Sequence, residues 1–107
     1  MPGSASNVIA KAGDDVTFTL TPQTNGTAYI ARARLFDSNN KLLQEWLGQN
    51  VIQFKASSGA STLYLAYFDG PVPETWDLSY TTAGVTTTLW AGLSIQTAPR
   101  VVTVFGN

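Results

Sequence analysis

Val16-Thr17-Phe18-Thr19-Leu20-Thr21 alternates strictly between apolar and hydroxyl side chains, and this period of two recurs along almost the whole chain. Successive side chains of a strand point to opposite faces, so the pattern predicts half-buried strands and leaves little room for helix. The flanks 12–14 and 22–26 are turn material. A second strand over about 28–36 places Tyr29, Ala31, Ala33 and Leu35 on one face and Ile30, Arg32, Arg34 and Phe36 on the other. Two outward arginines between apolar ends suggest a face that something covers.

Asp37-Ser38-Asn39-Asn40 is a tight connection, because Asn and Asp tolerate a left-handed backbone and bond their own main chain. After it, Lys41–Leu47 has Leu and Glu enough for a short helix, yet the preceding turn and the stop at Gly48 favour a strand. Strands are expected over Val51–Ala56 and Thr62–Phe68, the second central because it is apolar on both faces. Asp69-Gly70-Pro71-Val72-Pro73 interrupts the ladder. Trp76, Leu78 and Tyr80 then share a face as core residues, and Thr82-Ala83-Gly84 turns the chain into a long strand with Val85, Thr87, Leu89, Ala91, Leu93 and Ile95 in register and Thr86, Thr88 and Trp90 opposite. After Ala98-Pro99, Arg100–Phe105 closes the set. The reading is all-β: an antiparallel β-sandwich or jelly roll of seven to eight short strands, one domain over residues 1–107 with 1–7 as a flexible N-terminal tail.

Composition narrows the chemistry. There is no cysteine and no histidine, which excludes thiol nucleophiles, thiolate metal sites and a Ser-His-Asp triad, and removes the commonest general base. Net charge is −1 from 6 basic and 7 acidic residues, so no electrostatic footprint for nucleic acid or anionic lipid exists. Apolar runs are too short to cross a bilayer and the N-terminus lacks signal-peptide features, so the chain reads as soluble and untargeted. Only 12% of residues are charged, about half the usual fraction. A surface of Thr, Ser, Asn, Gln and Ala is easily desolvated in a subunit contact.

No enzyme, cofactor or metal site is expected. A glycosidase would need two of Asp14, Asp15, Asp69, Glu74 and Asp77 in one cleft, and each has a structural explanation in a turn or on a solvated strand. The Asp37–Asn40 run has oxygens at alternate positions but lacks the glycine and distal Glu of a calcium loop, so a hairpin turn explains it better. Asn25-Gly26-Thr27 matches a glycosylation sequon, a tripeptide common by chance. Among the aromatics, Trp46 beside Glu45 and Trp90 opposite the Leu89 face are expected at the surface. Trp46, Trp90, Arg32 and Arg34 are the expected contact residues, since Trp and Arg carry a disproportionate share of interface energy.

The order of features resembles a small β-sandwich module of tailed-phage virion proteins, including N-terminal domains of baseplate and tail-fibre proteins. The residues that carry the likeness are Gly13-Asp14-Asp15-Val16-Thr17-Phe18, then Ala31–Asn39 with its Asp-x-Asn turn, then the hairpin Trp76–Thr88 followed by Gly92, Ile95 and Val101-Val102-Thr103. In that family the module heads a longer protein, whereas this chain stops at Asn107, which fits a free-standing capsid or tail accessory subunit or an excised domain. The resemblance implies a non-enzymatic virion protein that forms a homo-oligomer, a trimer or hexamer, and docks onto another virion protein. The competing expectation is a small carbohydrate-binding module or lectin that stacks a glycan on Trp46 or Trp90.

Overall fold

The computed structural model describes residues 5–23, 29–69, 75–94 and 100–107. Within them the chain is all-β, with nine strands in two sheets packed face to face. In chain order the strands are β1 (Ala5–Ala10), β2 (Asp15–Pro22), β3 (Tyr29–Phe36), β4 (Leu42–Gln49), β5 (Val51–Lys55), β6 (Gly59–Asp69), β7 (Thr75–Thr82), β8 (Val85–Ser94) and β9 (Arg100–Gly106). The larger sheet has the order β1-β9-β6-β3-β4 and the smaller one β5-β2-β7-β8.

The expected alternation builds the core directly. Val16, Phe18 and Leu20 of β2 point inward, flanked by Ile52 and Phe54 of β5 and by Trp76 and Leu78 of β7. Facing them from the larger sheet are Val8, Ala10, Ala33, Leu35, Leu63, Leu65, Val102 and Val104, all buried. Ile30 is also buried, although it shares the parity of Arg32 and Arg34. As expected, β6 is central, third of five, and Lys41–Leu47 contributes strand β4 rather than a helix.

Turn chemistry follows the residues. The Asp37 Oδ1 accepts the amides of Asn39 and Lys41 at 2.8 and 2.9 Å, while Asn40 takes φ +63°. That carboxylate caps the β3–β4 turn. Between β7 and β8, Ala83 and Gly84 have φ of +52° and +76°, the paired left-handed geometry of a type I′ hairpin. A single residue, Asn50, carries the chain from β4 at the edge of one sheet to β5 at the edge of the other. Its carbonyl accepts the Leu20 amide at 2.8 Å and its Nδ2 donates to the Leu20 carbonyl at 3.3 Å, so the crossover is fastened to β2.

Three expectations are corrected. Nine strands form among the described residues instead of seven or eight. Residues 5–7, expected as tail, belong to β1, which pairs with β9 from Ala5↔Val101 to Ala10↔Gly106. That pair is parallel, so the sandwich is not purely antiparallel. The Asn107 amide extends the pairing by donating to the Ala10 carbonyl at 2.8 Å. Gly106 is held so close to the loop before β6 that a Cβ there would lie 1.7 Å from the Ser57 carbonyl oxygen. The expected break at 70–73, the Ala98-Pro99 turn, Ile95 and the sequon at Asn25 lie outside the described residues.

Candidate interaction surface

The larger sheet has one face against the core and one face that the described residues leave open. Strand registers place the open-face residues in rows that cross the sheet. One row runs Asn7, Thr103, Thr62, Phe36, Leu42, and the next runs Val101, Tyr64, Arg34, Glu45. Arg32 opposite Leu47 lies beyond on one side, and Ile9 beside Phe105 and Ala60 on the other. Ile9, Leu47 and Tyr64 keep 57%, 58% and 44% of their surface, and Leu42 and Phe105 are exposed with them. Scattered apolar residues are ordinary on a protein surface, but five large ones on a single sheet face form a patch.

Charge is concentrated at the middle of that face. Arg34 donates from Nε to Glu45 Oε2 at 2.6 Å, and Arg32 Nε lies 3.8 Å from the same oxygen. Cross-strand register explains the cluster: Arg34 and Glu45 are direct partners, and Arg32 is two residues along β3 on the same face. All three groups are solvent-accessible, so the ion pairs contribute about 0–1 kcal/mol to folding. Beside them Phe36 and Tyr64 meet edge to face at 5.7 Å and 87°, a geometry favoured by the ring quadrupoles.

Of the four expected contact residues, Arg32 and Arg34 stand on this face. The surface placement of Trp46 and Trp90 is corrected. Trp46 is opposite Ala33, which is fully buried, so it belongs to the inner face of β4. It packs on the core with its ring 6.0 Å from that of Phe54, closing the seam between the two sheet edges. Phe54 in turn stacks on Phe18 at 6.0 Å, and Phe18 meets Tyr80 at 5.9 Å.

Trp90 moves inward for a different reason. Register runs Tyr80↔Thr87 and Ser79↔Thr88, then Leu78↔Trp90, then Trp76↔Leu93, so β8 carries two extra residues. Leu89 is the first, and it turns Trp90 onto the side of the buried Leu78. The second lies at Ala91-Gly92, where Gly92 has φ +65° and donates its amide to Asp77 Oδ1 at 2.7 Å. Trp90 packs against the core, and the Arg100 guanidinium lies 5.8 Å from its ring centroid. The single uninterrupted register expected for 85–95 does not hold.

Sequence reading did not select Ile9, Leu42, Leu47 or Phe105. The available signal was β6, apolar on both faces, which implied that its second face also needed a cover. Asp77, a candidate acid on sequence, has Oδ1 engaged by Gly92 and by Gln23 Nε2 at 2.7 Å, and this carboxylate pins the second bulge. Glu74 and the Asp69 side chain lie outside the described residues. Among the described residues no helix is long and apolar enough to cross a membrane. No protein-family model, no curated protein and no solved structure matches the chain.

Proposed function

We propose that this domain is a non-enzymatic assembly subunit that packs the open face of its five-stranded sheet against other protein subunits, copies of itself included. The observation that carries the reading is the cluster of exposed Ile9, Leu42, Leu47, Tyr64 and Phe105 around Arg32, Arg34 and Glu45 on one face. Five strands spaced about 4.8 Å apart and seven residues long at about 3.3 Å each give a footprint of roughly 550 Å2 in projection. Corrugated by side chains, such a face approaches the about 800 Å2 per partner of a standard interface. Two guanidinium groups against one carboxylate leave the patch with an excess of positive charge. A neighbouring acidic group complements it, and that fixes orientation more than affinity.

The finer reading is a capsid or tail accessory protein of a phage virion, a trimer or hexamer docked on another virion protein. Its support is the order of sequence features from Gly13 to Thr103. The lectin reading has less support, because Trp46 and Trp90, its expected stacking platforms, are partly buried against the core. Light scattering coupled to size-exclusion chromatography tests the assembly reading. A homo-oligomer whose mass Leu47→Glu lowers, with the unfolding midpoint unchanged, supports it. A monomer at all concentrations that binds a specific glycan replaces it with the lectin.

A further inference from the structure

A two-sheet sandwich has four edge strands, here β1, β4, β5 and β8. Each exposes main-chain donors and acceptors that template further pairing, and natural proteins blunt such edges with charge, proline, glycine or bulges. Three of the four are blunted. Strand β4 carries Glu45, an extra residue at Leu43 and Gly48 at φ +63°. Strand β5 is five residues long and ends on Lys55, paired with Asp15 at 3.0 Å. Strand β8 is broken by its two bulges. Strand β1, Ala5-Ser6-Asn7-Val8-Ile9-Ala10, has no charge, no proline and no glycine, and it pairs with β9 through six residues without a shift.

The hydrogen-bond phase shows which groups that edge offers. Ala10 gives its carbonyl to the Asn107 amide and Ala12 gives its amide to the Asn107 carbonyl. In a parallel ladder the residues that bond a given neighbour alternate, so Ser6, Val8 and Ala10 face β9. Asn7 and Ile9 therefore present their N–H and C=O groups outward. Their side chains lie on the open face of the sheet, where Ile9 stands beside Phe105.

We propose that β1 pairs antiparallel with β1 of a second copy, joining two five-stranded sheets into one continuous sheet across a twofold axis through Val8. In that register Asn7 stands opposite Ile9 of the second copy. The two residues exchange both main-chain bonds, and with the symmetric pair all the outward groups of Asn7 and Ile9 are satisfied. A second copy fits better than an unrelated strand because a self-pairing edge places its own side chains against one another. Any charge on it would meet a like charge nearby; β4 and β5 carry such charges, the uncharged β8 is broken by its bulges, and β1 is the uncharged edge with an unbroken register. The join also places Ile9 of each copy beside Asn7 of the other on the open face, so that face continues across the seam. This edge contact does not depend on what the open face binds.

Asn7→Pro is the discriminating variant, since it deletes an N–H that points away from β9 and leaves every bond among the described residues intact. Light scattering at two concentrations should give about twice the 11.4 kDa chain mass or a multiple of that dimer for the wild type. The mass of Asn7→Pro should fall by half with an unchanged unfolding midpoint, while Leu47→Glu keeps the edge dimer. Hydrogen exchange on the wild type gives an answer even if the proline variant fails to fold: the Asn7 and Ile9 amides should be protected along with Val8 and Ala10. A monomeric wild type, an Asn7→Pro protein of undiminished mass, or Asn7 and Ile9 amides exchanging like free ones would each overturn the proposal. Loss of the dimer in Leu47→Glu alone would assign self-association to the open face instead.

Discussion

Replacing Trp46 with Ala separates a structural wedge from a surface contact. Burying an aromatic side chain completely removes about 150–250 Å2 from water, which is about 4–6 kcal/mol at about 25 cal/mol/Å2. Trp46 is buried only in part, on the inner side of an edge strand, so about half of that, about 2–3 kcal/mol, is at stake. The tilted pair with Phe54, at 6.0 Å and 46°, adds about 0.5–1.5 kcal/mol. A loss near 3 kcal/mol is expected, a large share of the about 5–15 kcal/mol that holds a domain folded. In a urea titration followed by fluorescence of the two remaining tryptophans, the midpoint should fall by about 1–3 M for an m-value of about 1–3 kcal/mol/M. A shift under about 0.3 M with an unchanged slope would refute the wedge. Loss of self-association at that unchanged stability would restore Trp46 to the surface role that its sequence neighbours suggested.

Two backbone positions give sharper tests. Ala83 occupies the first left-handed position of the β7–β8 turn at φ +52°, where an alanine Cβ is strained and Asn is favoured. Ala83→Asn should raise stability by about 0.5–1 kcal/mol in thermal unfolding, and a decrease would contradict the type I′ assignment. Gly106→Ala sets a methyl 1.7 Å from the Ser57 carbonyl oxygen. Because the atoms it would meet, in Ser57 and Ser58, are all backbone, the loss should reach the top of the about 1–3 kcal/mol overpacking range or exceed it, and a neutral result in the same unfolding assay would deny the close approach.

The fold was legible wherever alternation and turn residues acted locally. Val16, Phe18 and Leu20 announced β2, and Asp37 with Asn40 announced the turn before β4. Strand β1 was not legible because its partner is remote. Ser6-Asn7-Val8-Ile9 shows only a fragment of alternation, and what orders it is β9, almost a full chain length away. Trp90 was misplaced for a subtler reason. Parity arguments assume one residue per position, and the bulge at Leu89 reverses the parity of Trp90 before the second bulge at Ala91-Gly92 restores it. Arg32 and Arg34 point outward as the alternation predicts because β3 is regular through them, whereas Trp46 lies beside the charged Glu45 in sequence but on the opposite side of the strand. Leu42 and Leu47 look like core residues in sequence, and only the sheet order shows that nothing in the described residues covers them.

The β1–β9 pairing sets an order of events during synthesis. Val8 and Ala10 leave the ribosome long before the strand that seats them. Until then the larger sheet lacks both of its final two members, and the inner faces of β3 and β6 have an incomplete neighbour row. Pairings of such long sequence separation form slowly and leave apolar strands exposed meanwhile. Completion of this domain is consequently a late, cooperative event that waits for residues 100–107, and nascent chains halted before Arg100 should be protease-sensitive along β1 even when β2 and β7 have already paired.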